Sequence, residues 1–230
     1  MKKQALRAAF PYTIPVFFGY LFLGMGFGIL LCSKGFSVGW ALLMSLTMLA
    51  GSGQYVAIPM LTSPTSALSA ALMTFMVNAR HLFYGLSLLD KFRDMGKLKP
   101  YMIFSLTDET YSLHCGTKVP ESIDPRWFHF FLALLDHSYW LLGTLVGALA
   151  GSLLTFDTTG IDFVMTALFV VIFTEQWESS SDHRPALIGL GATLLCLLLC
   201  GKETFIMCAM VVIFIALTAL RSKVEGGTQA

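Results

Sequence analysis

Charge is what this chain lacks most. Only 13% of its 230 residues are Asp, Glu, Lys or Arg, about half the share of a soluble domain. A net charge of +1 leaves no electrostatic case for binding nucleic acid. The five cysteines form no C-x-x-C pair and read as small buried hydrophobes rather than disulfides or metal ligands. Neither H-E-x-x-H nor G-x-S-x-G occurs, so no catalytic residue, metal or cofactor is expected. The apolar segments also lack the strict polar/apolar alternation of a membrane β-barrel. No small-residue cleavage site stands out after the basic start, and the first apolar run continues past Leu31. It reads as a retained span rather than a signal peptide.

What is present is apolar length. Hydrophobic residues make up 56% of the chain, and the charges are bunched at Lys2, Lys3 and Arg7, in "DKFRDMGKLK" at 90–99 and in "RSKVEGG" near the end. Between them lie eight apolar segments, about 10–32, 37–61, 65–89, 100–115, 127–153, 161–177, 185–200 and 203–220. A helical crossing needs about 20 such residues, and helices satisfy their own backbone in lipid. The fold class expected is all-α, a polytopic helical membrane protein with residues 1–230 as one transmembrane domain.

Eight simple crossings would put the basic cluster at 90–99 outside, against the positive-inside tendency. "AGSGQY" at 50–55 resolves the conflict, because its glycines and serine weaken a helix at mid-membrane. A broken or re-entrant element there returns all three basic clusters to the cytoplasmic side. The later half repeats the outline weakly. "LLGTLVGALAGSLL" at 141–154 parallels "YLFLGMGFGILL" at 20–31, and "FVVIFTEQWES" parallels "SLTMLAGSGQYVA", aligning Gln176 with Gln54. This pattern predicts an inverted repeat, about 10–115 and 127–220, with about six crossings and two broken or re-entrant helices. Gly24 and Gly28, with Gly143, Gly147 and Gly151, form small-residue ridges for close helix packing, and so offer faces to a partner.

An ionisable group at bilayer depth costs about 2.5–3.5 kcal/mol on insertion scales, so it is paired, faces a cavity, or works. The candidates are Arg80 and His81, Asp108 and Glu109, Asp136 and His137, and Glu175. Asp136, His137 and Glu175 have an interfacial reading as well. On a helix, Asn78 and His81 are three apart and Arg80 and Tyr84 four apart, which makes two adjoining polar faces. Thr107, Thr110 or Tyr111, and His114 make another stripe. Asp108 and Glu109 point about 100° apart, so they take different partners. Asp108 is expected to pair with Arg80, and Glu109 to carry a proton.

"GSGQYVAIPML" at 51–61, "VNARHLFYGLSL" at 77–88 and "LTDETYSL" at 106–113 resemble the signature stretches of the AzlC family. The resemblance runs over most of the chain, the basic loop at 90–99 included. It implies the large subunit of a two-component exporter of branched-chain amino acids in the plasma (inner) membrane, working beside a small hydrophobic AzlD partner. A zwitterionic substrate needs a cation or helix N-terminus for its carboxylate and an anion or carbonyl for its ammonium group. Gly51, Ser52, Gly53, Gln54, Asn78, Arg80, His81, Tyr84, Thr107 and Thr110 are the expected substrate-binding residues. Arg80, Asp108 and Glu109 are the expected ion pair or proton-coupling group. Rival readings are a channel or structural membrane subunit, and an intramembrane enzyme using His81, His114, His129, His137 or His183.

Overall fold

The computed structural model describes residues 2–153 and 182–220, with scattered positions between 163 and 178. The fold is all-α, and no strand occurs among the described residues. Two compact units divide the chain, 1–165 and 166–230.

In the first unit, α1 (Lys2–Ser33) and α8 (Pro125–Leu153) are each long and apolar enough to cross a membrane. Helix α1 carries Pro11 and Pro15 in its interior, which a membrane helix tolerates when neighbours re-satisfy the freed backbone groups. Pro125 opens α8 at the first helical position, where its missing N–H goes unneeded. Asp124 just before it accepts from Arg126 N at 3.0 Å, and the Arg126 guanidinium holds this carboxyl below the usual range.

The two long helices lie against each other along their glycines. A Cβ on Gly24 would stand 2.9 Å from Thr144 N and Trp140 O, and one on Gly143 would stand 2.7 Å from the carbonyls of Tyr20 and Leu21. Gly28 meets Thr144 and Ala148 in the same way, Gly147 meets Met25, and Gly151 meets Ile29. The ridges therefore mate within this chain, as the close-packing reading of their spacing expects. Lipid tails are as apolar as leucine, so close backbone approach and hydrogen bonds hold such helices together. Tyr20, Phe27, Leu31, Tyr55 and Trp140 fill the seam, while Phe18, Phe22, Trp40, Phe75 and Leu86 point outward.

The intervening segments are broken. The second is split into α2 (Val38–Thr47) and α3 (Gly51–Thr62). Ala50 leaves the helical region (φ −147°, ψ 84°), so α3 starts on the "GSGQ" stretch. The third is α4 (Ala67–Asn78) and α5 (Arg80–Ser87). Ala79 between them keeps helical angles, and a tightened bond from Leu82 N to Ala79 O opens α5. The fourth is α6 (Lys99–Phe104) and α7 (Asp108–Gly116). Thr107 caps α7: its backbone is extended and its hydroxyl accepts from Thr110 N at 3.2 Å.

In the second unit, α9 (Arg184–Ala219) bends at Gly201, whose φ of 74° suits glycine alone. The stretch Arg184–Gly201 is also long and apolar enough to span. The bend falls where the seventh and eighth apolar segments were divided. Most of the sixth segment, with Glu175 and Gln176, lies outside the described residues.

Candidate functional site at three helix starts

Three helices begin at one place. Ser52 is the second residue of α3, Arg80 the first of α5 and Asp108 the first of α7. Arg80 Nη2 donates to Ser52 Oγ at 2.7 Å and lies 3.0 Å from Asp108 Oδ2. Tyr84, one turn after Arg80, donates its hydroxyl to the other carboxylate oxygen at 2.5 Å. Its ring stacks on Tyr111, with centroids 4.4 Å apart. Asp108 thus has both oxygens engaged, and it stands at a positive helix end that favours an anion. Arg80 depends on that carboxylate to offset its charge.

The arrangement leaves two polar atoms buried without partners, Arg80 Nε and Asn78 Oδ1. Asn78 spends its amide N–H on Thr74 O at 3.0 Å. A Cβ on Gly53 would lie 2.9 Å from Asn78 Nδ2, so the glycine makes room for that amide. His81 sets Nδ1 3.1 Å from Asn78 O and its ring edge-on to Tyr84.

The "GSGQ" stretch therefore faces two ways. Ser52 and Gly53 face the start of α5. Gln54 turns into the scaffold, fully buried, taking Trp140 Nε1–H on its Oε1 at 2.7 Å and donating Nε2 to Ser45 Oγ at 3.1 Å. Ser45 in turn meets the Thr144 hydroxyl at 2.9 Å. Gly51 lies against the Trp140 ring.

Glu109, one residue beyond Asp108, points toward α1, where Tyr20 donates to its Oε2 at 2.8 Å. The Tyr20 hydroxyl also meets Thr107 Oγ1 at 2.5 Å. Thr107 bonds Thr110 Oγ1 at 3.0 Å, and Thr110 donates to Asp136 Oδ2 at 2.9 Å. Asp136 is 1% exposed, its Oδ1 has no partner, and it joins none of the ion pairs found among the described residues. Burial removes the interfacial reading for Asp136. His137 beside it bonds elsewhere, Nδ1 to the Tyr101 hydroxyl at 3.0 Å and Nε2 toward Ser45 O at 3.3 Å. Thr107 and Thr110 therefore belong to this chain of hydroxyls, whereas Asn78, Arg80, His81 and Tyr84 surround the ion pair.

Of the other histidines, His114 and His129 face each other with Nδ1 atoms 3.1 Å apart, and His183 stacks on Trp177. No group of three metal-ligating side chains occurs among the described residues. Sequence reasoning missed Tyr20, Ser45 and Trp140, whose hydroxyls and indole lie in apolar runs without any local signal. The threonine followed by two acids at 107–109 is, by contrast, a legible helix start.

No solved structure matches this chain. Among curated relatives, the branched-chain amino acid transport protein AzlC of Bacillus subtilis is 48% identical, over 96% of this chain and 87% of its own length. Uncharacterized membrane proteins of Helicobacter pylori (strain J99) and Haemophilus influenzae are each 41% identical over 96% of this chain, covering 97% and 91% of their own lengths. The family described as AzlC protein matches residues 15–154, the stretch that holds every residue of the cluster. This chain is a membrane protein of the AzlC family.

Proposed function

We propose that this chain is the large subunit of a multi-pass secondary transporter that exports branched-chain amino acids across the plasma membrane, coupled to protons. Its partner in this reading is a small hydrophobic AzlD-type subunit. The observation that carries the transport reading is the pair of unpartnered buried atoms at the three helix starts. Arg80 Nε is a charged donor suited to a carboxylate, and Asn78 Oδ1 an acceptor suited to an ammonium group. An α-amino acid brings one of each. The start of α3, which no side chain caps, adds a positive end, as the broken helices of secondary transporters do. The similarity to the Bacillus subtilis protein supports the branched aliphatic substrate. An apolar pocket separates side chains differing by one methylene by only about 1–3 kcal/mol, so valine, leucine and isoleucine are expected to compete.

The test is intracellular valine, leucine, isoleucine and methionine in cells challenged with dipeptides containing each, with and without the protein. Lower accumulation of the branched residues with the protein present is expected, and equal accumulation of all four overturns the substrate. The partner is tested in liposomes, where full export by this chain alone removes the need for a second subunit.

A further inference from the structure

Protons along the hydroxyl chain are one short of the bonds they must fill. Four contacts link Glu109, Tyr20, Thr107, Thr110 and Asp136, at 2.8, 2.5, 3.0 and 2.9 Å. Each contact joins two oxygens and needs one proton between them. The three hydroxyls in the middle carry one proton each. The fourth proton must come from a carboxyl group at one end. We infer that Glu109 and Asp136 share a single proton through Tyr20, Thr107 and Thr110, so that Asp136 is the second terminus of a proton relay.

The chain has two complete arrangements. With the proton on Glu109, every O–H points toward Asp136: Glu109 donates to Tyr20, Tyr20 to Thr107, Thr107 to Thr110, and Thr110 to ionised Asp136. Four concerted hops reverse every bond, leaving Asp136 protonated and Glu109 ionised, with no atom or charge gained. Thr107 keeps its oxygen in place by accepting from Thr110 N, and Tyr20, Thr107, Thr110 and Asp136 are all buried. Burial favours sharing, because two ionised carboxylates in one dry network repel and lack a cation. Arg80 does not supply that cation, since Asp108 and Ser52 occupy it. Among the described residues, the other charged group facing the chain is Asp108 beside Glu109, held by Arg80. The titratable hydroxyls facing the chain are Tyr84 beside Glu109 and Tyr101 beside Asp136. Both are hydrogen-bonded elsewhere, to Asp108 and His137.

The inference deepens the proton-coupled reading above, and its first test needs no substrate, so the two fail separately. Infrared difference spectra of the purified protein at neutral pH count protonated carboxyl groups. The wild type should show one more than the double variant Glu109→Gln, Asp136→Asn. Each single variant should lose that band entirely, because the new amide N–H supplies the fourth proton and leaves the remaining acid ionised. A single variant that keeps the band identifies an independently protonated acid and overturns sharing, as does a wild type with no extra band or with two. Where export is measurable, Tyr20→Phe and Thr110→Val cut the chain at different links. Both should slow net proton-driven export by at least about tenfold while sparing exchange of substrate for substrate. Unchanged pH dependence in either well-folded variant overturns the relay.

Discussion

Arg80 and Asp108 come together from the first residues of two different helices, 3.0 Å apart, with Ser52 of a third helix bonded to the same guanidinium nitrogen. One ion pair thereby pins three broken segments at their break points. Helix α4 buries none of its residues fully, so this polar contact and the burial of Leu88 beyond α5 are what anchor the third segment.

Replacing Asp108 by asparagine should therefore lower stability while keeping the shape of the contact. Stranding a fully buried partner costs about 3–5 kcal/mol. Here the two side chains are 29% and 22% exposed, so a loss of about 2 kcal/mol is the better expectation. Arg80→Lys should also destabilise, since the ammonium group is a more strongly hydrated point charge on a flexible stem and is held less firmly between Ser52 and Asp108. Thermal unfolding of the purified variants measures both, and unchanged midpoints for both would dismiss the pair as a fastener.

Substituting the glycine seam should disrupt the scaffold itself. Gly28→Val and Gly147→Val each place a side chain into the backbone of the opposite long helix, and overpacking of this kind costs about 1–3 kcal/mol or more. A Cβ on Gly19 would have no neighbour within 4 Å, so Gly19→Ala should be silent. Membrane yield and a single symmetric peak on size exclusion report the difference. Equal behaviour of the three variants would mean that the seam is not formed in the membrane.

Gly53→Ala separates binding from folding. Its new methyl group would press on the Asn78 amide at 2.9 Å, and that amide carries the unpartnered acceptor assigned to the substrate ammonium group. A several-fold rise in KM for export at normal abundance is expected, equivalent to about 1 kcal/mol of lost binding. An unchanged KM takes Asn78 out of the site.

Topology gives a fourth test. If the broken second segment returns to its own side, Lys3 and Lys97 should both face the cytoplasm. Cysteines placed there in a cysteine-free background should react with an impermeant reagent only after the membrane is opened. Labelling of Lys97→Cys in intact cells would restore a full crossing for α2 and α3.

Much of the site was written locally. The helix break at "AGSGQY", the four-residue spacing that lets Arg80 and Tyr84 grip one carboxylate, and the divergence of Asp108 from Glu109 follow from low helix propensity and helical periodicity, whereas the break before Asp108 divides what reads as one apolar segment. The all-α class and the membrane setting follow from scarce charge and long apolar runs, because lipid admits little else. Only the tertiary structure decided who meets whom. Tyr20 reaches Glu109 across 89 residues of sequence, Trp140 reaches Gln54 across 86, and Thr110 reaches Asp136 across 26. Periodicity places a residue on a face without naming the face opposite. The glycine ridges make the same point: their spacing announced close packing, but α1 and α8 turned out to be each other's partner. What joins distant residues is the backbone-to-backbone approach that those glycines permit, and this approach exists only once both helices are in place.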